Sequence, residues 1–274
     1  MYLVADIGNT NVCLAVFKGA RLLKSWRFET HASLDTKDWA EQIEKALCLA
    51  SLSLGEMSGF LVSSVVPSLL KVIEPFGMKN FGEAFYIAGQ GPAFFRNKAL
   101  IQSPGEEGAD LMINAYGAHH TYGGPLFVVD FGTATTVSRI DEKGNFCGVA
   151  IAPGFNLSAE ALFKGAENLF HLSFEKPRKV IGTSTEESVR SGLFWGYLGL
   201  IEGLVNRAIN ENKQFFTTKS PRVIATGGLG ETFSKETSCI TLYDPYLTLN
   251  GLALLYQSIS MEQKIELENY DTAL

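Results

Sequence analysis

Two short stretches combine an acidic residue, a glycine and hydroxyl side chains directly after an apolar run. In residues 128–137, VVDFGTATTV, the apolar run ends at Asp130 and a glycine follows two residues later. Residues 4–12, VADIGNTNV, repeat this order with Asp6. A buried strand that ends this way delivers a carboxylate to a tight turn lined with hydroxyls and free backbone N–H groups, which suits phosphate or a metal ion. The two copies predict a duplicated fold.

A third turn, residues 226–230 with the sequence TGGLG, follows a short apolar run at 223–225. The order of two acid turns and then a glycine turn favours a nucleotide site. The acid turns would offer N–H groups, hydroxyls and a carboxylate to phosphates and Mg²⁺, and bare glycine backbone would let an adenosine approach. Each turn alone is equally compatible with an ordinary hairpin, because D-x-G is common in hairpins.

A third acid, Asp110, lies in the first turn of a helix predicted over residues 108–122. The free N–H groups of a first helical turn favour a carboxylate, so Asp110 is predicted to be ionised at neutral pH. An ionised Asp at this point can act as a base, or it can serve only as a helix cap.

The elements around these turns predict an α/β fold of two duplicated domains, each a mixed sheet flanked by helices, over residues 1–118 and 119–274. In the first half the order is βββαβαβ, with strands over 2–5, 12–17, 22–28, 60–66 and 84–88 and helices over 34–54 and 67–76. Residues 89–107 form a Gly- and Pro-rich loop, hinge or lid. After the helix over 108–122, strands are predicted over 126–129, 135–140, 146–151 and 223–225, and helices over 157–169, 185–212 and 249–261.

The helix predicted over residues 185–212 carries a wide apolar face, which can pack in a core or bury a partner subunit. The residues of this face are Leu193, Phe194, Tyr197, Leu200, Leu204 and Val205.

The composition, 274 residues with 46% hydrophobic and 19% charged side chains, is that of a soluble globular protein. The net charge of −6 argues against a general binder of nucleic acid or anionic membranes. No apolar run approaches the ~20 residues that cross a bilayer, and no signal peptide is recognisable.

The four cysteines have no metal or disulfide spacing; they are Cys13, Cys48, Cys147 and Cys239. They are predicted to be buried reduced thiols, as in a cytoplasmic protein.

Signatures of other nucleotide and hydrolytic enzymes are missing from the sequence. It contains no P-loop, no protein-kinase catalytic loop, no Rossmann glycine motif and no nucleophile elbow. The histidines, His31, His119, His120 and His171, lack metal-ligand spacing and are predicted to be surface or core residues.

The three turns resemble the two phosphate motifs and the adenosine motif of the superfamily of acetate and sugar kinases, heat-shock ATPases and actin. Within that superfamily the chain resembles the type III pantothenate kinases. The motifs that carry the resemblance are DIGNTN, GAD at 108–110, VVDFGTATT, I-x-PG at 151–154, GTST at 182–185, RSG at 190–192 and ATGG at 225–228. The resemblance implies two ribonuclease-H-like domains and ATP-dependent phosphorylation of pantothenate, the first step toward coenzyme A.

The resemblance also implies the site residues. The ATP phosphates would be held by Asp6, Ile7, Gly8, Asn9, Thr10, Asn11, Val12 and Cys13, with Thr133 also touching ATP. Pantothenate would be bound by Gly108, Ala109, Asp110, Leu111 and, from the neighbouring subunit of a homodimer, Thr185. Asp110 would be the base, Asp6 would lie near Mg²⁺, and Asp130 would bind a monovalent cation, K⁺ or NH₄⁺.

Two positions depart from the family pattern. Leu111 stands where the family has Arg, and Ile101 stands where it tends to have Tyr. Both lost side chains would meet the substrate. A kinase of the same fold acting on another small alcohol therefore remains an alternative, as does a non-catalytic relative resembling the Bvg accessory factors.

Overall fold

The structure, a computed structural model, describes residues 1–31, 33, 35–95, 97–165, 174–216 and 221–272. The chain forms two compact units. The first unit comprises Met1–Lys98, Ser103–Gly117 and Tyr246–Leu274, and the second comprises Ala99–Gln102 and Ala118–Pro245. The C-terminal segment, which the sequence analysis placed with the second half, thus groups with the first unit.

Ten strands and seven α-helices make up the described chain. The strands are β1 (Tyr2–Ile7), β2 (Asn11–Lys18), β3 (Arg21–Glu29), β4 (Phe60–Ser64), β5 (Phe85–Ile87), β6 (Leu126–Phe131), β7 (Ala134–Ile140), β8 (Phe146–Pro153), β9 (Arg222–Gly227) and β10 (Leu242–Tyr243). The helices are α1 (Thr36–Leu49), α2 (Pro67–Phe81), α3 (Ala109–Tyr122), α4 (Phe155–Gly165), α5 (Thr185–Glu211), α6 (Gly230–Ser234) and α7 (Leu247–Thr272). Among the described residues, no helix is long and apolar enough to cross a membrane.

The two sheets share one topology, which confirms the predicted duplication. The first sheet has the order β3-β2-β1-β4-β5, and the second has the order β8-β7-β6-β9-β10. In each sheet the central strand, β1 or β6, pairs antiparallel with the next strand along the chain and parallel with β4 or β9. Asp6 and Asp130 are each the second-last residue of that central strand.

The first core lies on the face of its sheet that α1 and α2 cover, as alternation along the strands requires. β1 contributes Leu3, Ala5 and Ile7, and α1 contributes Trp39 and Ile43 among others. Asp35 caps α1 by accepting hydrogen bonds from the backbone N–H groups of the first turn, at 2.8 and 2.9 Å. The cap fixes the first residue of α1 at Thr36.

Helix α3, which carries Asp110, is fixed within the first unit by α7. A Cβ on Gly117 would lie 2.8 Å from the Cα of Gly251, so the two helix backbones approach closely there. The Thr248 hydroxyl donates a hydrogen bond to Asn114 Oδ1 at 2.8 Å. Only glycine fits the close approach of the two backbones at Gly117 and Gly251. This approach and the hydrogen bond hold α3 in place and so set the position of its first turn.

The second core uses the apolar face of α5. Phe194, Tyr197, Ile201 and Val205 are buried, and Leu193, Leu200 and Leu204 pack against them. Leu193, Leu200 and Leu204 are only half-buried, so the core interpretation holds for part of this face, and burial of a partner subunit by the rest stays a prediction.

Candidate active site

The turn after β1 is held by backbone and side-chain hydrogen bonds. Gly8 N–H donates to the Asn11 carbonyl at 2.9 Å, and the Thr30 hydroxyl donates to the Gly8 carbonyl at 2.7 Å. Thr30 N–H donates to the Thr10 carbonyl at 2.9 Å. The side chains of Asn9 and Thr10 are exposed at the tip of this turn.

The residues predicted to hold ATP phosphates divide by their exposure. Asp6, Asn11 and Cys13 are half-buried, whereas Ile7 and Val12 are buried in the first core. The side chains of Ile7 and Val12 therefore cannot contact a nucleotide, and those two residues can offer only backbone groups. The alternation of a strand explains the division, because successive side chains face opposite sides of the sheet.

The Asp110 carboxylate lies beside the carboxyl ends of β1 and β4. A Cβ on Gly108 would lie 2.3 Å from Asp110 Oδ1 and 3.7 Å from Val65 Cγ1, so the carboxylate occupies the space that the missing side chain leaves. Val65 N–H in turn donates to the Ile7 carbonyl at 3.1 Å. The first unit thus brings together the turn that follows Asp6 and the α3 first turn.

Burial raises the pKa of the Asp110 carboxyl above its ordinary value of 3.8. The hydrogen bond from Leu111 N–H to Asp110 Oδ1, at 2.9 Å, opposes the rise but is the smaller effect. Burial therefore outweighs the N–H groups of the first turn in setting the pKa of Asp110, and ionisation of Asp110 at neutral pH stays a prediction. A carboxylate that is desolvated and has a raised pKa is a better proton acceptor than an exposed one.

Asp130 lies against the bare backbone of the glycine turn. A Cβ on Gly227 would stand 2.6 Å from Asp130 Oδ1 and 2.7 Å from the backbone N and O of Phe131. Gly228 N–H donates to the Phe131 carbonyl at 3.1 Å, and the Tyr243 hydroxyl donates to the Gly227 carbonyl at 3.2 Å. Two of the three predicted turns therefore meet at one edge of the second sheet.

The turn at residues 153–154 joins the same edge, and its glycine was given no role by sequence reasoning. Gly154 N–H donates to the Thr133 carbonyl at 3.0 Å. A Cβ on Gly154 would lie 2.5 Å from the Gly132 carbonyl oxygen. The signal was present in the sequence as a Pro-Gly pair at a strand end, which marks a turn but does not reveal its neighbour.

The surroundings of Asp130 fit a cation bound by oxygen ligands. In the sheet Asp130 is in register with Thr136 on one side and Thr226 on the other, so two hydroxyl residues share its face. Carboxylate, hydroxyl and carbonyl oxygens are the ligands of hard cations. Over the part of the chain that the structure describes, no three His, Cys, Asp or Glu side chains are grouped to hold a metal ion. A cation at Asp130 would therefore rely on hydroxyl, carbonyl or nucleotide oxygens.

The predicted substrate residues Leu111 and Thr185 lie in contrasting environments. Leu111 is only 9% exposed, so its side chain is part of the interior. Thr185 is exposed and begins α5, directly after the cap residue Ser184. Thr183 N–H and its hydroxyl both donate to Glu187 Oε2 at 2.8 Å, which fixes the segment before the helix.

The cysteine and histidine side chains of the described residues are partly or fully exposed. All cysteines are free, but Cys48 is exposed near the end of α1 and the other three are half-buried, so the prediction of buried thiols is wrong. Cys48 follows the core residue Leu47 and faces solvent because, at about 3.6 residues per turn, the next residue of a helix lies on a different side of it. His31 and His120 are exposed, as predicted for surface residues, and His171 lies outside the described residues.

Comparisons with known proteins agree with the motifs and the duplicated fold. The family model described as type III pantothenate kinase matches residues 2–207. A type III pantothenate kinase from Geotalea daltonii is 38% identical over 261 residues, which cover 94% of this chain and 98% of the relative. The chain belongs to the type III pantothenate kinase family.

Solved structures at low identity support the fold alone. A protein described as a Baf family transcriptional activator from Campylobacter jejuni superposes with a TM-score of 0.57 at 18% identity, covering 93% of this chain and 98% of that one. One described as a 2-dehydro-3-deoxygalactonokinase from Sinorhizobium meliloti gives a TM-score of 0.55 at 12% identity, covering 94% and 97%. These neighbours fit the predicted pair of ribonuclease-H-like domains of the actin, heat-shock ATPase and sugar-kinase fold.

Proposed function

We propose that this kinase transfers the γ-phosphoryl group of ATP to the primary hydroxyl of pantothenate. The observation that carries the proposal is the buried Asp110 carboxylate, which lies at the ends of β1 and β4 in the unit that contains the Asp6 turn. A family member with a desolvated acid at this point has the group that the reaction requires. The test is ADP release with pantothenate, compared with an analogue that lacks the primary hydroxyl. Equal release with both compounds would contradict the proposal.

The protein's contribution to the reaction is mainly positioning. Phosphoryl transfer passes through a loose transition state, so alignment and charge neutralisation supply most of the rate. Asp110 accepts a hydrogen bond from the attacking hydroxyl and takes its proton as the new bond to phosphorus forms. The exposed tip formed by Asn9 and Thr10 presents N–H and hydroxyl groups to the phosphates. Thr133, also exposed, is assigned a second contact with ATP.

Two cations are part of the proposal. Asp6 would hold Mg²⁺ or its water shell, and Asp130 would hold K⁺ or NH₄⁺. Bound cations supply positive charge that offsets the charge of the phosphates. A cation bound by the half-buried Asp130 carboxylate, which shares its face with Thr136 and Thr226, would offset the negative charge of the carboxylate.

Another small alcohol as substrate is the second candidate function. Leu111 occupies the position of the family's arginine. Its side chain is uncharged and almost fully buried, so the charge that would meet the pantothenate carboxylate is missing at this position. A kinase with this substitution could prefer an uncharged alcohol. Parallel ADP-release assays with pantothenate and with uncharged diols distinguish the two. No release with any alcohol would instead favour the non-catalytic regulator.

A homodimer built on α5 is also proposed, through a stripe of glycines along this helix. A Cβ on any of four glycines of this helix would meet nothing within 4 Å, and these glycines are Gly192, Gly196, Gly199 and Gly203. Their spacing places them along one open stripe of the helix. Glycine destabilises a helix interior by about 0.5–1 kcal/mol relative to alanine, so four of them are costly unless a second backbone approaches. The partner's α5 would fit this stripe, and Thr185 begins the same helix.

A further inference from the structure

Ser63, the fourth residue of β4, is directly opposite Asp6 in the first sheet. The parallel register pairs Asp6 with Ser63. On β1 the core residues Ala5 and Ile7 flank Asp6, and on β4 Val62 precedes Ser63 and belongs to the same core. Since side chains alternate along a strand, Asp6 and Ser63 both project from the opposite face. That face is covered by α7, whose Tyr256 stacks on Tyr2 with ring centroids 4.1 Å apart.

The Ser63 hydroxyl is fully buried and lacks a partner among the described residues. Its exposure is 0%, and no hydrogen bond satisfies Oγ. The next residue behaves differently, because Ser64 Oγ accepts from Val66 N–H at 3.0 Å and donates to the Val66 carbonyl at 3.1 Å. Most buried polar groups in proteins are hydrogen-bonded, so an orphan hydroxyl requires an explanation. Packing alone would be served better by an apolar side chain of similar size.

The second unit repeats the arrangement. There Asp130 is in register with Thr226, which is 2% exposed, on the strand that corresponds to β4. Both copies of the duplicated fold therefore place a buried hydroxyl residue on the parallel strand beside the strand-end acid. The repeated position of a buried hydroxyl residue beside the acid supports a role connected with that acid.

We infer that Ser63 is a positioning residue that donates a hydrogen bond to the Asp6 carboxylate when ATP is bound. The inference rests on the proposed function, in which the Asp6 turn holds the phosphates. Full burial keeps Ser63 Oγ from solvent, so it acts through Asp6 and not by contact with the nucleotide. A serine side chain can change its χ1 rotamer without movement of the backbone, which would bring Oγ toward the carboxylate in the bound state. The donated bond fixes the orientation of the carboxylate.

The test measures nucleotide affinity without turnover, by calorimetry with ATP and Mg²⁺ in the absence of the alcohol. We expect Ser63→Ala to weaken ATP binding about tenfold, because hydrogen bonds to charged groups are among the stronger ones. AMP binding should change less than twofold. Ser63→Thr, which copies the second unit's hydroxyl, should restore most of the affinity for ATP. The matched control is Ser138→Ala, a buried strand serine of the second unit that is 2% exposed, which should leave ATP affinity unchanged.

A double-mutant cycle separates positioning from general damage to the fold. In an Asp6→Asn background, Ser63→Ala should cost less than twofold in ATP affinity, since the ionised acceptor is gone. The inference is overturned if Ser63→Ala binds ATP as the parent does, or if its cost is undiminished in the Asp6→Asn background. A parent that fails to bind ATP would instead overturn the proposed function. Melting temperatures of all variants establish that the affinities refer to folded protein.

Discussion

Replacing Gly108 with alanine tests the position of the Asp110 carboxylate without altering its chemistry. The built Cβ would lie 2.3 Å from Asp110 Oδ1, whereas its next neighbours, Asp110 Cγ and Val65 Cγ1, stand at 3.5 and 3.7 Å. Only the carboxylate oxygen must therefore move. Ordinary contact requires a shift of Oδ1 by about 1 Å, and a misplacement of that size costs about 10²-fold in rate. We expect kcat to fall by about that factor.

The stability of the same variant should hardly change. The backbone of Gly108 is outside the left-handed region, so alanine can adopt its conformation. Alanine also restricts the unfolded chain, and the free energy of unfolding should stay within about 1 kcal/mol of the parent. The large effect on rate and the small effect on stability together distinguish displacement of a catalytic group from damage to the fold.

The assay is steady-state ADP release combined with thermal melting. The matched control is Gly55→Ala, whose Cβ would meet nothing within 4 Å and which should leave both quantities unchanged. A Gly108→Ala enzyme that keeps its kcat within twofold of the parent would refute the assigned position of the carboxylate. A drop in melting temperature of more than about 10 °C would refute the argument that only the carboxylate moves.

Three further predictions follow from the acids and the open helix face. Asp110→Asn should lower kcat by about 10²–10⁴, and near-parental turnover would end its role as base. Burial raises the pKa of Asp110, so the protonated form is favoured in the folded state. The resulting contribution to the free energy of unfolding is fully present below the ordinary pKa of 3.8 and is lost as the pH rises through the pKa of the folded state. Asp110→Asn should therefore melt no lower than the parent at neutral pH, and a clearly lower melting temperature there would contradict the burial argument. Replacing K⁺ with Na⁺ or a bulky organic cation should reduce turnover, and equal rates would count against Asp130 as the cation ligand. Gly196→Leu should convert a dimeric parent to monomer in light scattering while leaving the unit folded, and a persisting dimer would exclude the glycine stripe.

The sequence was sufficient to predict the duplicated α/β fold and the order of its elements. Apolar runs and turn residues located nine of the ten described strands and missed only the two-residue strand β10, and the helix predicted over residues 185–212 is observed as Thr185–Glu211. The central strand of each sheet extends further than predicted. β1 continues through Asp6 to Ile7 and β6 through Asp130 to Phe131, because pairing with β4 and β9 overrides the local preference of polar residues for turns.

The environment of the site could not be predicted from local signals. Whether Asp110 is desolvated depends on neighbours distant in the chain, such as Val65, and not on its own helical turn. The close fit of Gly227 against Asp130 likewise joins residues almost a hundred positions apart. The C-terminal helix groups with the first unit through contacts such as Gly117 with Gly251, which no periodicity reveals. Tertiary contacts determined these features.

The most direct test of the account is identification of the product formed by the parent enzyme. Pantothenate, ATP, Mg²⁺ and K⁺ are incubated with the protein, and the reaction is analysed by mass spectrometry, with Asp110→Asn as the matched control. We expect pantothenate that carries one phosphoryl group on its primary hydroxyl, together with an equal amount of ADP, and at least about 10²-fold less of both with the variant. Absence of phosphorylated pantothenate from the parent reaction, or equal amounts from parent and variant, would contradict it.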